Sequence, residues 1–195
     1  MISGLVLAAG LSRRMGRPKQ EILLRGRPML DYAVSSFLAS KAGEVVVVVR
    51  PGTGWRIPQG ARAVVNPRPA EGMSASLKVG LRSLDPGTEG VLVGLGDKPA
   101  LLPSTIDRLI SARSESGARI LVPTFQGRRG NPVLFDRTLF PRLLRLRGDQ
   151  GARDFIRRNA AMVEEVPVDD PGVVLDVNVR ADVRKMSRVL ARLSD

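Results

Sequence analysis

Five consecutive valines, Val45 to Val49, constrain the fold more than any other stretch of this chain. A β-branched run with no charge on either alternate face makes a strand buried on both sides, which requires a sheet covered by helices front and back. Short apolar runs of similar kind recur at Leu5–Ala8, Ala63–Val65, Val91–Leu95, Ile120–Val122, Val133–Phe135 and Val163–Val168. Between them the spacing predicts helices over Pro28–Leu38, Met73–Leu84, Ser104–Ser114, Thr138–Leu146, Asp149–Asn159 and Ala181–Leu193, with Ser104 behind Pro103 as a candidate cap. This alternation predicts an α/β fold: one three-layer α/β/α domain with a mostly parallel sheet, spanning residues 1–195. The Gly/Pro-rich stretch Pro51–Gly60 reads as an exposed loop.

Composition narrows the chemistry. The chain has no cysteine and no histidine. Disulfides, thiolate nucleophiles, Ser-His triads and imidazole metal sites are therefore excluded. Carboxylates, lysine, arginine, hydroxyls or a hard cation are left to do any catalysis. No run approaches the ~18 apolar residues of a transmembrane helix, and the N-terminus lacks a signal peptide's basic region; a cytoplasmic protein without membrane contact is expected. The net charge of +12 invites a nucleic-acid reading. The arginines are dispersed, however, and aromatics make up only 4% of the chain, so stacking platforms are scarce and nucleic acid is not the expected partner. A positive field also attracts small anions.

The first apolar run feeds into Ala8-Ala9-Gly10-Leu11-Ser12-Arg13-Arg14-Met15-Gly16-Arg17-Pro18-Lys19. Small residues let backbone N–H groups approach a phosphate, and Arg13, Arg14 and Lys19 bring neutralising charge. A loop at the carboxyl end of a strand is also where open α/β sheets bind ligands. It is not a P-loop and not the three-glycine dinucleotide fingerprint. The sequence alone leaves open a nucleotide-phosphate loop or a solvated turn.

Other segments carry the same double reading. Asp97, in Gly94-Leu95-Gly96-Asp97-Lys98-Pro99, follows a buried strand and suits either a divalent cation or a turn. In Asp176-Val177-Asn178, alternate polar groups project to one side of an extended chain, a second oxygen-bearing site or a polar edge. Asn66 and Gly72-Met73-Ser74-Ala75-Ser76 lie at a strand-to-helix junction that can read a base edge or ribose, or simply cap a helix. The loops around Arg129-Gly130-Asn131 and Gly148-Asp149-Gln150-Gly151-Ala152-Arg153 combine glycine with arginine, as for a second anion or as turns.

Taken in order, these segments resemble the nucleotidyltransferases that attach a nucleotide to molybdenum cofactor, nearest to the cytidylyl branch. The likeness runs from residue 4 to about 182 and rests on Leu7-Ala8-Ala9-Gly10-x-Ser12-x-Arg14-Met15-Gly16-x-x-Lys19, on Gly96-Asp97-x-Pro99, and on the three later glycine-bearing loops. Ala9 stands where the guanylyl branch usually has glycine.

The resemblance implies a Rossmann-like nucleotidyltransferase fold and Mg²⁺ as cofactor. Ala8, Ala9, Gly10, Ser12, Arg13, Arg14 and Lys19 would hold the nucleotide phosphates. Asn66, Gly72, Met73, Ser74 and Ser76 would face base and ribose, and Asp97 and Asn178 would bind Mg²⁺. Arg14, Lys19 and Asp97 would be the catalytic residues. Arg129, Gly130, Asn131, Gly148, Asp149, Gly151 and Arg153 would meet the acceptor.

The implied partners are a nucleoside triphosphate, CTP favoured, molybdopterin cofactor or another phosphorylated small molecule, and a molybdoenzyme that receives the product. Three departures stand out. Asn131 replaces the usual histidine, Asn178 replaces an aspartate, and Val179-Arg180-Ala181-Asp182 replaces Thr-Pro-Glu-Asp. They leave room for GTP or ATP with another acceptor, and for a nucleotide-binding regulatory or cofactor-handling protein without turnover.

Overall fold

The computed structural model describes residues 1–11, 19–148, 152–178 and 180–193. The chain runs through β1 (Ile2–Leu7), β2 (Leu23–Leu24), β3 (Arg27–Pro28), α1 (Met29–Leu38), β4 (Val45–Val49), β5 (Ala61–Val65), α2 (Met73–Ser83), β6 (Gly90–Leu95) and α3 (Pro103–Ser116). It continues through β7 (Ile120–Phe125), β8 (Arg128–Arg129), β9 (Val133–Asp136), α4 (Phe140–Leu143), α5 (Arg153–Arg158), β10 (Val163–Pro167) and α6 (Arg180–Arg192).

The main sheet has the order β10-β7-β9-β6-β1-β4-β5, with β8 paired to β7. Strands β4 and β6 flank β1 in parallel register, β5 pairs in parallel with β4, and β10 pairs in parallel with β7. Only β9, between β6 and β7, and the short β8 run antiparallel.

The five valines behave as their composition requires. Val45, Val47 and Val49 enter the core on the face covered by α1 and α3; Val46 and Val48 enter the opposite core with Leu77 and Leu81 of α2. At roughly 25 cal/mol per Å² of apolar area, burial on both faces makes β4 a main source of stability. A third cluster joins Ile22 and Leu24 to Val177 and to Met186 and Leu190 of α6, so the last helix closes over the β2–β3 hairpin. No helix among the described residues is long and apolar enough to cross a membrane.

Several expectations are corrected. The predicted helix near 138–146 shortens to α4, and the first turn after β9 is a 3-10 turn capped by Asp136; of the helix predicted near 149–159, residues 149–151 lie outside the described residues and α5 covers Arg153–Arg158. Ser104 does not cap α3, where Leu102 holds the cap position. Its N–H and the Thr105 hydroxyl donate to Asp170 Oδ2 at 2.9 and 2.7 Å, so the cap comes from 65 residues or more downstream. The hairpin β2–β3 was not legible as apolar runs. In the Pro51–Gly60 loop, Trp55 and Ile57 pack against the core instead of lying free.

Candidate functional site

The carboxyl ends of β1 and β6 lie side by side, with Leu7 opposite Leu95. The Gly96 N–H donates to Leu7 O at 3.0 Å, which sets Asp97 beside the end of β1. The irregular segment after Asp170 then crosses this edge: the Val177 N–H donates to Asp97 O at 3.2 Å, and the Asn131 N–H donates to Val173 O at 3.0 Å. One strap thus fastens the Asp97 turn to the Asn131 loop. Gly130 is required at the second contact, because a Cβ there would lie 2.4 Å from Val173 O.

Lys19, Asp97 and Asn178, far apart in sequence, meet at this edge. Lys19 Nζ donates to Asp97 Oδ2 at 2.6 Å and to Asn178 Oδ1 at 3.1 Å, and lies 3.5 Å from Val177 O. Asp97 Oδ1 is buried and has no hydrogen-bond partner among the described residues. Asn178 Nδ2 donates to Asp176 Oδ2 at 2.6 Å, so both polar groups of this segment do face one way, and the Asn178 N–H donates to Asp182 Oδ2 at 2.8 Å.

These donors fit a small hard cation, since all are oxygens and one carboxylate oxygen is left unsatisfied. No three His, Cys, Asp or Glu side chains gather anywhere among the described residues. A cation held here would take few protein ligands and keep waters or phosphate oxygens, as Mg²⁺ commonly does.

Lys98 is one residue that sequence reasoning missed. It is only 6% exposed, and its Nζ donates to Leu175 O at 3.2 Å. Burial pushes its ammonium below the usual lysine range; nearby Asp176, Asp97 and Asp170 pull the other way, while Arg128 adds to the lowering. A lysine in a Gly-Asp-Lys-Pro turn reads as solvated, so only the strap's position reveals that it pins residue 175.

At the junction expected to face base and ribose, Asn66 is 1% exposed at the end of β5. Its Nδ2 donates to Ser76 Oγ at 3.1 Å, and its Oδ1 accepts the Arg68 N–H at 2.9 Å. Gly72 caps α2 at φ 91°, a conformation that favours glycine. The helix has no side-chain cap, and the Ser74 N–H is taken by Gly148 O at 3.2 Å, so that amide is not available as expected. The Ala8 N–H is likewise used by the sheet, donating to Val48 O at 2.8 Å. Gly10 has open space around it. Ser12, Arg13, Arg14, Asp149 and Gly151 lie outside the described residues.

Over the sheet face between α2 and α5 opens a cleft of about 640 Å³. Met73, Leu77, Val93, Val133, Phe135 and Ile156 give it an apolar floor and walls, while Arg129, Gly130, Asn131 and Arg153 line it together with Arg157. Four expected acceptor residues are therefore gathered in one cavity, and Arg157 and the apolar floor are additions. Helical spacing on α5 could have flagged Arg157, four positions after Arg153; the floor is indistinguishable from core in sequence.

A mostly parallel α/β sheet with a cluster of oxygen-bearing side chains and an arginine-lined cleft at its strand ends is the kind of scaffold on which open α/β folds bind ligands. Residues 4–164 match the MobA-like NTP transferase domain, and the chain belongs to that family of nucleotidyltransferases. It is 30% identical to nicotine blue oxidoreductase of Paenarthrobacter nicotinovorans, covering 97% of this chain and 96% of that protein. It is 29% identical to a probable molybdenum cofactor guanylyltransferase of Mycobacterium avium, covering 97% of each. The crystal structure of Rv0371c from Mycobacterium tuberculosis in complex with manganese matches with a TM-score of 0.80 at 28% identity, covering 96% of this chain and 97% of that one.

Proposed function

We propose that the chain transfers a cytidylyl group from CTP to the terminal phosphate of molybdopterin cofactor, with release of pyrophosphate. The observation that carries the reading is the convergence of Lys19, Asp97 and Asn178 at the ends of β1 and β6, beside a cleft with an apolar floor and cationic walls. An acceptor with a flat apolar body and an anionic end suits such a cleft. CTP rests on Ala9 in the signature loop. The identity with a guanylyltransferase makes GTP the competing base.

In this mechanism a phosphate oxygen of the acceptor attacks the α-phosphorus, and the bond from that phosphorus to the bridging oxygen breaks. Pyrophosphate leaves with the electron pair. The acceptor oxygen is already anionic at neutral pH, so no general base is needed, in keeping with a chain that lacks histidine. Asp97 and Asn178 would hold a divalent cation, which when bound supplies charge neutralisation for the phosphate oxygens. Lys19 and Arg14 add positive charge at the triphosphate. Arg129, Arg153 and Arg157 orient the acceptor's anionic end, and the apolar floor excludes water from its body.

A second reading draws on the similarity to a protein named as an oxidoreductase and on the neutral Asn178: nucleotide or cofactor binding without nucleotidyl turnover. Thermal unfolding with each of the four ribonucleoside triphosphates, with and without Mg²⁺, tests both. A Mg²⁺-dependent shift for CTP alone, together with release of pyrophosphate when acceptor is added, is the expected result. Preference for GTP or ATP removes the cytidylyl assignment. Binding without pyrophosphate release favours the second reading, and no shift with any nucleotide overturns both.

A further inference from the structure

The ammonium of Lys19 sits in a ring of three oxygens: Asp97 Oδ2 at 2.6 Å, Asn178 Oδ1 at 3.1 Å and Val177 O at 3.5 Å. The first two belong to the residues assigned above to the cation. Carboxylate, amide and carbonyl oxygens are what a small hard cation seeks, and here a side chain supplies the positive charge. Lys19 and Asp97 are only 17% and 16% exposed, so their charges are partly removed from water and each needs the other. The match is incomplete, because the second carboxylate oxygen, Asp97 Oδ1, stays buried and unpartnered among the described residues.

We infer that Lys19 is a resident counter-ion of the cation site: it holds Asp97 and Asn178 in the resting enzyme and is displaced when a divalent cation enters. This rests on the assignment of Asp97 and Asn178 to the cation. The two positive charges compete for the same oxygens, so they exclude one another. Lys19 lies at the end of the signature loop, and its displacement frees an ammonium for the triphosphate. The free cation therefore binds weakly on its own, since it must expel a paired lysine that has no phosphate to receive it. Nucleotide supplies that receiver, and the two ligands strengthen each other's binding reciprocally.

Mn²⁺ binding to the nucleotide-free protein, followed by electron paramagnetic resonance, tests the competition in the wild type, Lys19→Met and Asp97→Asn. The expected result is that Lys19→Met binds Mn²⁺ about tenfold more tightly than wild type while Asp97→Asn loses binding. Equal or weaker binding by Lys19→Met, with binding lost in Asp97→Asn, overturns the counter-ion role and leaves the cation site standing. Unchanged binding in Asp97→Asn removes the cation assignment itself, and the inference with it.

A second measurement uses the wild-type protein and does not depend on a variant's folding. The rate of reductive methylation at Lys19, read by mass spectrometry with and without Mg²⁺, should rise severalfold when the cation is added. A rate that stays constant or falls refutes displacement.

Discussion

Asn66 and Ser76 form a buried side-chain pair, Nδ2 to Oγ at 3.1 Å, that ties the end of β5 to the first turn of α2. Asn66 also fixes the intervening loop by accepting the Arg68 N–H. Replacing it with alanine leaves the Arg68 amide and the Ser76 hydroxyl short of a partner. Asn66→Ala should cost about 1–3 kcal/mol of stability in urea unfolding. In a variant still folded, the nucleotide-dependent thermal shift should shrink. Ser76→Ala, which leaves the Arg68 contact in place, should cost less.

Asp97→Ala removes the carboxylate of the proposed cation site while keeping the backbone carbonyl that accepts from Val177. Nucleotidyl transfer should fall by about 10²–10³ at least, on the scale of losing one preorganised electrostatic group. Circular dichroism should be unchanged. A variant that turns over near the wild-type rate would sink the assignment.

The arginines of α5 make a separate, acceptor-side prediction. Arg153→Ala combined with Arg157→Ala should raise the acceptor's KM by about tenfold per arginine, the scale of a hydrogen bond to a charged group. The nucleotide's affinity should be little altered. A loss confined to nucleotide binding would show that the cleft has been given the wrong ligand.

Asp136 supplies a pH-dependent contribution to stability away from the site. Burial alone would raise its pKa, but the hydroxyl and N–H of Thr138 and the Arg113 guanidinium outweigh it and hold the carboxyl below its usual range. A depressed folded-state pKa stabilises the protein above the unfolded value of about 3.9, and that contribution is lost as pH falls through the folded value. Asp136→Asn should therefore be less stable at pH 7 by about 1–3 kcal/mol. In denaturation at stepped pH, the gap from wild type should close as pH falls below about 4.

Much of the fold was readable because burial on two faces leaves a mark. The valine run of β4 and the apolar runs of β1 and β6 announced a covered sheet, and loops at their carboxyl ends followed from strand polarity. Less was readable where structure depends on distant partners. Asp170 caps α3 through space, two-residue strands such as β2 and β3 have no periodicity to detect, and α4 and α5 are too short to outweigh their flanks. Within the candidate site, the residue types at Lys19, Asp97 and Asn178 were evident. That an ammonium lies between the two oxygen-bearing side chains was not, since it needs the strap from Asp170 to Asn178 laid across the strand ends. Lys98 shows the same gap: nothing local to Gly96–Pro99 says that a lysine there is buried.

Strand β9 runs against its neighbours β6 and β7, so its first residues, not its last, emerge at the edge where the other strands end. The β8–β9 segment can therefore be exchanged like a cassette: its tip, Arg128 to Pro132, meets the cleft, while its far end is moored at Asp136. If the cleft holds the acceptor as proposed, a relative's tip grafted onto this chain would change which acceptor is admitted and leave Asn66 and Asp97, at the ends of β5 and β6, as they stand. On that reading, a new acceptor needs little more than a rewritten hairpin, with the strands beside it unchanged.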